Sequence, residues 1–301
     1  MRYVNESMIE SNLSNILKNN EVMWVIKDDA YSFGIERMLY IAIKLGIKHF
    51  AVKSIDEGIL IRNKYYDSEI LVLGKTKDIK RLKAYNLIGT INDYDEYLRY
   101  KELNVRAHLA IDVGMNRFGM KRGYLAIIND KIIEAIYTHI YEENEALDKI
   151  NLIENLANNY GKKYHIGGSI AYGKTKGMIR IGRIIYENST KFFGNIVNIK
   201  KVVVGETVGY DSSYCVKKDC MIGICDIGYV NGLSLFYNGK VSINNKFYDV
   251  IGRCCMDQCF IIIDNLVSIG DCVEFYGENI SEDEFIIKNN MTKYELFLQM
   301  H

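Results

Sequence analysis

A lysine closes one of the most apolar segments of the chain. Lys27 follows the run Val22–Ile26. If this run is a strand of an α/β barrel, its carboxyl end lies on the rim where the active sites of such barrels are found. An amine held against apolar walls has a lowered pKa, which suits it to Schiff-base formation or to general-base catalysis. The alternative interpretation is a lysine that only extends its ammonium from a strand end to solvent.

Further short motifs follow Lys27 in a fixed order. The motifs are Val25-Ile26-Lys27-Asp28-Asp29-Ala30-Tyr31, Ile111-Asp112-Val113-Gly114-Met115-Asn116-Arg117-Phe118-Gly119, Tyr137-Thr138-His139, Gly168-Ser169, Ile179-Arg180-Ile181-Gly182, Ile227-Gly228-Tyr229, Gly252-Arg253-Cys254-Cys255-Met256-Asp257-Gln258 and Tyr294-Glu295. In this order they resemble the signature segments of the alanine racemase family, which are fold type III pyridoxal-phosphate enzymes. The set spans nearly the whole chain, so it is far more specific than any single motif.

The resemblance implies a role for each matching position. Lys27 and Tyr229 would be the two catalytic bases, with Lys27 also carrying pyridoxal 5'-phosphate and Tyr229 reaching the site from the partner subunit. Arg180 would face the pyridine nitrogen, supported by His165. The remaining implied contacts are Tyr31, Ser169, Gly182 and Tyr294 at the cofactor phosphate, His139 beside the ring, and Arg117 and Met256 on the substrate side.

The resemblance further implies a pyridoxal-phosphate-dependent amino-acid racemase, an isomerase that acts as a homodimer. Racemisation removes the α-proton on one face of the amino acid and returns a proton on the other, so it requires two opposed acid–base groups. Alanine is the expected substrate and serine the next. The alternatives are a racemase for another amino acid and a non-catalytic relative with a regulatory role. The related decarboxylases generally place an acid opposite the ring nitrogen, and Arg180 argues against them.

Several positions depart from the family pattern. Ser32-Phe33 stands in place of Gly-His, Arg183 in place of an apolar residue, and Val230-Asn231 in place of x-Asp. Ala110 stands in place of a lysine that is often carbamylated and then orients the arginine at the position of Arg117. These changes spare the two bases and the arginine that faces the ring. They alter the residues around them, so substrate range and efficiency stay open.

Eight short apolar runs alternate with amphipathic segments through the first two thirds of the chain. The candidate strands are Val22–Lys27, His49–Lys53, Ile70–Leu73, Leu87–Ile91, His108–Val113, Ile133–His139, Tyr164–Gly167 and Met178–Ile181. Apolar residues recur at helical spacing between most of them, as at Ile35, Leu39 and Ile43. Because parallel strands need long crossover connections, eight such units predict a closed (β/α)8 barrel.

The pattern changes after about residue 196. The runs become β-rich and are separated by short turns; they are Lys201–Gly205, Met221–Ile227, Lys240–Ile243, Phe247–Ile251, Cys259–Ile263 and Cys272–Tyr276. We therefore predict two domains, a barrel over 1–195 and a smaller, mostly-β domain over 196–301. By the resemblance, the barrel binds pyridoxal phosphate and the β domain supplies the second base to the partner subunit.

Composition excludes several classes of function. Lys plus Arg and Asp plus Glu are both 38, so the chain lacks the cationic surplus of a nucleic-acid-binding protein. No run approaches the ~18 apolar residues of a membrane span, and the first residues do not have the pattern of a signal peptide. The seven cysteines show no zinc-ligand spacing, so we expect no metal site and a reduced, cytoplasmic protein.

Overall fold

The computed structural model describes residues 1–299, which fold as two compact units. The barrel unit comprises Ile9–Tyr186. The β unit comprises Met1–Met8 together with the chain from Glu187 onward. Among the described residues, no helix combines the length and the apolar character that crossing a bilayer requires.

The β unit begins with β1 (Arg2–Val4), and the strands that follow build the barrel unit. These are β2 (Val22–Val25), β3 (His49–Val52), β4 (Glu69–Val72), β5 (Gly89–Ile91), β6 (Ala107–Ala110), β7 (Ile133–His139), β8 (Lys163–Gly167) and β9 (Met178–Ile181). Their order is β4-β3-β2-β9-β8-β7-β6-β5, and the paired neighbours are parallel. Backbone hydrogen bonds from Val72 N to Ile88 O and from Ile88 N to Ile70 O join β4 to the residue directly before β5. The predicted barrel is confirmed.

Helices connect most of these strands. They are α1 (Glu6–Leu17), α2 (Lys27–Ser32), α3 (Ile35–Lys44), α4 (Ile55–Lys64), α5 (Ile79–Ala84), α6 (Tyr94–Leu103) and α7 (Ala146–Tyr160). Side chains set several of the starts: Ser54 and Glu57 form a capping box at α4, and Asp93 accepts from Glu96 N at α6. The longest connection without an α-helix joins β6 to β7 and contains a single 3₁₀ turn, Tyr124–Ala126.

The strands of the barrel are almost entirely buried, as expected for a parallel sheet covered by helices. Polar side chains nevertheless occur inside the barrel, and they come from neighbouring strands: Thr90, His108, His165 and Arg180. Burying polar groups is unfavourable unless they are hydrogen-bonded. This polar group in the interior therefore marks the part of the barrel where function is to be sought.

The β unit is an antiparallel sheet closed by two helices. Its further elements are β10 (Thr190–Val202), β11 (Thr207–Val208), β12 (Tyr214–Cys215), β13 (Cys220–Cys225), β14 (Lys240–Ile243), β15 (Lys246–Ile251), β16 (Cys259–Ile263), β17 (Cys272–Tyr276), α8 (Glu282–Asn289) and α9 (Lys293–Gln299). The main sheet has the order β1-β10-β13-β16-β15-β14-β17, and β10 also pairs with β17. The mostly-β character predicted for this part of the chain is confirmed.

Strand β10 differs from its prediction. It starts at Thr190 and ends at Val202, whereas the sequence predicted a strand over Lys201–Gly205. The chain turns directly after it, where Glu206 N donates to Val203 O at 3.1 Å. The expected domain boundary at residue 195 therefore falls inside this strand, and the two units divide between Tyr186 and Glu187.

Candidate active site

The segment after Lys27 has an unusual backbone. Lys27 lies two residues after the end of β2, and the five residues Asp28–Ser32 all have φ between 52° and 64°. For L-residues other than glycine this left-handed conformation costs roughly 1–2 kcal/mol per residue. Contacts hold the turn: Asp28 N donates to Glu57 Oε1 at 2.7 Å, and Ile35 N donates to Asp29 Oδ1 at 2.8 Å. The turn leaves Lys27 half-buried and Tyr31 buried.

Tyr31 and two glycines form a close-packed cradle at the carboxyl ends of β8 and β9. A Cβ on Gly182 would lie 2.6 Å from the Tyr31 hydroxyl, so only glycine fits there. Gly168 has φ +108°, and a side chain on it would collide with the carbonyl oxygen of Ile140. The 3₁₀ turn that begins at Ser169 follows. Backbone and hydroxyl groups without intervening side chains are the ligands that a phosphate requires.

Arg180 lies below this cradle, inside the barrel. Its NH1 donates to His165 Nδ1 at 2.7 Å, and its NH2 donates to the carbonyl oxygen of Thr138 at 3.2 Å. The guanidinium carbon is 4.4 Å from the ring centroid of Tyr137. Burial lowers the pKa of Arg180 to about 10. The side chain therefore stays cationic at neutral pH, and its orientation is fixed by three partners.

Three cationic side chains act on His139 at the mouth of the barrel. Burial, followed by the positive charges of Arg180, Arg117 and Lys27, lowers the pKa of His139 to about 3. The ring is thus neutral at physiological pH. Three cations acting on one imidazole create a site of positive potential, which suits an anionic ligand such as a phosphate or a carboxylate.

Arg117 lies on an exposed loop that folds on itself. Asp112 Oδ1 accepts from Gly114 N at 2.9 Å and from Asn116 N at 3.2 Å. Residues Ile111 and Met120 form an isolated parallel bridge that closes the base of the loop. Ala110, where the family often has a lysine, is buried at the end of β6. The conformation of this loop thus rests on the Asp112 carboxylate.

Two other expected residues meet in the β unit. Tyr229 N donates to Cys255 O at 3.1 Å, and Val230 N donates to Met256 O at 2.8 Å. Gly228 permits this approach, because a Cβ there would collide with the carbonyl oxygens of Cys255 and Met256. Tyr229 and Met256 are 44% and 58% exposed. Tyr294 is also exposed and lies in α9.

The expected residues thus form two sets. In the barrel unit the structure gathers the lysine and its left-handed turn, the glycine cradle, Arg180 with His165, and His139 with Arg117. In the β unit it joins the backbone segments of Tyr229 and Met256. The described residues contain no group of three or more side chains able to hold a metal ion.

Comparison with known proteins agrees with this arrangement. Residues 4–188 match the family model described as "Alanine racemase, N-terminal domain", and residues 190–301 match "Alanine racemase, C-terminal domain". The chain belongs to the alanine racemase family. Members of this family are isomerases, and both of their domains are present here.

Relatives and solved structures show the same likeness. Alanine racemase 1 of Clostridium acetobutylicum is 28% identical over 92% of this chain and 84% of its own length. The crystal structure of alanine racemase from E. faecalis has a TM-score of 0.87 at 22% identity and covers 100% of this chain and 95% of its own. A histidine racemase from Leuconostoc mesenteroides subsp. sake has a TM-score of 0.83 at 19% identity, with coverages of 100% and 95%. The fold is therefore shared by alanine racemases and by a racemase named for a different amino acid.

Two residues of the site were not predicted from the sequence. Glu57 holds the Asp28 amide although it lies in α4, and no local pattern indicates that contact. His108 lies 3.0 Å from His165 inside the barrel. The sequence could have indicated His108. Side chains two positions apart on a strand lie on the same face, and His108 is two positions before Ala110, a position that the family resemblance had singled out.

Proposed function

We propose that this member of the alanine racemase family is a pyridoxal-phosphate-dependent amino-acid racemase with alanine as its substrate. The observation that carries the proposal is the buried Arg180, held by His165 at the floor of a barrel whose rim bears Lys27. Strand β2, which precedes Lys27, pairs with β9 so that Met23 lies opposite Arg180. The amine and the guanidinium thus come from neighbouring strands.

The residues present fit pyridoxal phosphate. At the carboxyl ends of β8 and β9, Gly168 and Gly182 carry no side chains and the Tyr31 hydroxyl lies beside Gly182, so we propose that their backbone amides and this hydroxyl bind the phosphate. Lys27 offers a primary amine, the group that forms a Schiff base with the aldehyde. Ser169 and Tyr294 are proposed as further phosphate ligands. His139, which burial keeps neutral, is proposed to pack beside the ring.

Each side chain then has a stated task. When bound, the cofactor withdraws electrons from the substrate α-carbon. Lys27 moves a proton at the α-carbon on one face, and Tyr229 moves a proton on the other. Arg180 would donate a hydrogen bond to the ring nitrogen of the bound cofactor and would keep its own proton at neutral pH, since its pKa is about 10. A ring nitrogen left unprotonated would withdraw fewer electrons, which would restrain transamination and decarboxylation.

The substrate carboxylate is proposed to meet Arg117 and the backbone of Met256. Both residues are exposed, which leaves them accessible to a small anion. The cations Arg180, Arg117 and Lys27, which each lower the pKa of His139 further than burial alone, favour that anion.

A homodimer is proposed to complete the site. Lys27 belongs to the barrel unit and Tyr229 to the β unit, and two bases on opposite faces of a planar cofactor are difficult to supply from one barrel rim. Tyr229 and the next residue, Val230, are both exposed, which leaves them accessible to a partner subunit.

The cytoplasm is the proposed location. Seven cysteines in a chain of 301 residues are not the dense disulfide framework of a small secreted domain, which supports a reducing compartment.

Exchange of the α-proton tests the function directly. The purified protein with pyridoxal phosphate is incubated with L-alanine in deuterated water, and deuterium at the α-carbon and D-alanine are both measured. Parallel incubations with serine and histidine determine the substrate range. We expect an absorption band near about 420 nm from the lysine-bound cofactor and exchange fastest with alanine. The band without exchange on any amino acid would indicate a non-catalytic relative and refute the proposal.

A further inference from the structure

Two buried histidines and Arg180 form a line of hydrogen bonds inside the barrel unit. NH1 of Arg180 lies 2.7 Å from Nδ1 of His165, and Nε2 of His165 lies 3.0 Å from Nδ1 of His108. The three residues are 5%, 2% and 7% exposed. Along this line His108 is the residue farthest from Arg180. The proposed reaction assigns no role to it.

The chemistry of the donors allows one arrangement of protons along the line. A guanidinium only donates, so Nδ1 of His165 must accept and carries no proton. The proton of the neutral His165 ring is then on Nε2, from which it is donated to Nδ1 of His108. The proton of His108 is in turn on its Nε2. Burial lowers the pKa of both rings, to about 3 for His108, in agreement with two neutral imidazoles.

Among residues 1–299, no carboxylate fixes the guanidinium of Arg180. Its partners there are His165, the Thr138 carbonyl and the Tyr137 ring. Its orientation therefore depends on neutral partners, and of these only Nδ1 of His165 loses its ability to accept when the tautomer changes. A buried Nε2 proton on His165 needs an acceptor of its own, because an unsatisfied buried donor is unfavourable. Without that acceptor the other tautomer becomes competitive, and it directs an N–H of His165 at an N–H of Arg180.

We propose that His108 is a positioning residue for Arg180. By accepting the Nε2 proton of His165, it selects the tautomer that receives the Arg180 hydrogen bond and so holds the guanidinium in place. Its effect on catalysis rests on the proposed racemase function. The tautomer itself is a property of the protein and can be measured without the cofactor.

Two substitutions of His108 with nearly equal shape distinguish the effect of a hydrogen-bond acceptor from the effect of side-chain volume. His108→Asn places a carbonyl oxygen near the position of Nδ1, whereas His108→Leu offers no acceptor. Nitrogen-15 NMR of the histidine-labelled protein without cofactor distinguishes a protonated ring nitrogen from an unprotonated one. A His165→Gln variant assigns the His165 signals by their loss.

We expect the wild-type protein and His108→Asn to carry the His165 proton on Nε2, and His108→Leu to populate the form protonated on Nδ1. An unchanged His165 tautomer in His108→Leu would overturn the proposal. So would a wild-type His165 that carries its proton on Nδ1, a result that does not depend on whether the leucine variant folds.

Kinetics with pyridoxal phosphate provide the second measurement. We expect His108→Leu to lower kcat for racemisation about tenfold, the effect of one lost hydrogen bond, with KM for alanine changed less than about twofold. His108→Asn should recover most of the loss. Equal kcat in the two variants would refute the positioning role. If the tautomer shifts as expected but the wild-type protein racemises no amino acid, the proposed function fails and the role of His108 in orienting Arg180 stands.

Discussion

Replacing Ala30 by glycine should leave the stability of the barrel unit almost unchanged, although it removes a fully buried methyl group. Ala30 has φ 54° and lies in the middle of the left-handed segment Asp28–Ser32. Glycine relieves roughly 1–2 kcal/mol of backbone strain there. Against this stand about 0.8 kcal/mol for the lost methyl burial and about 0.4–1 kcal/mol for the greater freedom of the unfolded chain. The net change is centred on zero and lies within about 0.8 kcal/mol of it.

Ala42 supplies the matched control. It is also fully buried, but it lies in the right-handed helix α3. Ala42→Gly loses the same methyl burial and about 1 kcal/mol of helix propensity, so it should destabilise the unit by about 2 kcal/mol. The difference between the two variants therefore measures the strain of the turn.

Urea denaturation followed by tryptophan fluorescence is the assay. Trp24 is the one tryptophan of the chain and is buried in β2, so its emission follows the unfolding of the barrel unit alone. The midpoint of Ala30→Gly should remain near that of the wild type, and that of Ala42→Gly should fall clearly. If Ala30→Gly loses as much stability as Ala42→Gly, the left-handed turn is not a source of strain and the reasoning is refuted.

Four further predictions concern the site. Lys27→Ala should abolish both the absorption band of the lysine-bound cofactor at about 420 nm and racemisation. A lysine–cofactor linkage still reducible by borohydride in that variant would contradict the assignment. Arg180→Glu places an acid opposite the ring nitrogen, so transamination should rise relative to racemisation; an unchanged product ratio would show that the arginine does not face the nitrogen. Mixed Lys27→Ala and Tyr229→Phe subunits should regain about a quarter of wild-type sites, because random pairing makes half the dimers mixed and each mixed dimer has one intact site; no recovery after verified subunit exchange would mean that Tyr229 does not act across the dimer. The pKa of His108 is about 3 in the folded protein and ~6.5 in the unfolded chain, so the unfolded chain binds more protons between these two values and stability should fall as the pH drops from about 6.5 to about 3. His108→Asn should make this fall shallower, by about 1.4 kcal/mol per pH unit near pH 5, and equal slopes in urea denaturation would exclude a buried neutral His108.

The eight barrel strands could be predicted because each is buried on both faces and therefore reads as a short, continuous apolar run. Strand β10 could not be predicted in full. Its first half mixes polar and apolar residues, and it starts before residue 196, where the change of sequence pattern suggested the domain boundary. Strand β1 has three residues, and its partner lies far along the chain. No local sequence pattern predicts which distant strand β1 pairs with.

The site shows the same division. Ordered motifs identified Lys27, Arg180 and Tyr229, because the chemistry requires those residue types. The left-handed turn gave no signal, since its five residues include no glycine and are held by a carboxylate from α4. Tertiary contacts override local preference there, and a sequence read element by element does not contain them.

The pairing of β1 with β10 also sets an order of events during synthesis. Arg2 lies opposite Phe192, so the two residues are 190 positions apart (192 − 2). At about 5–20 residues per second, a ribosome needs roughly 10–40 s to make the second strand after the first. The chain of the barrel unit, Ile9–Tyr186, is complete before that moment. We therefore expect the barrel to fold first on the nascent chain, while β1 remains an unpaired strand until the β unit is translated.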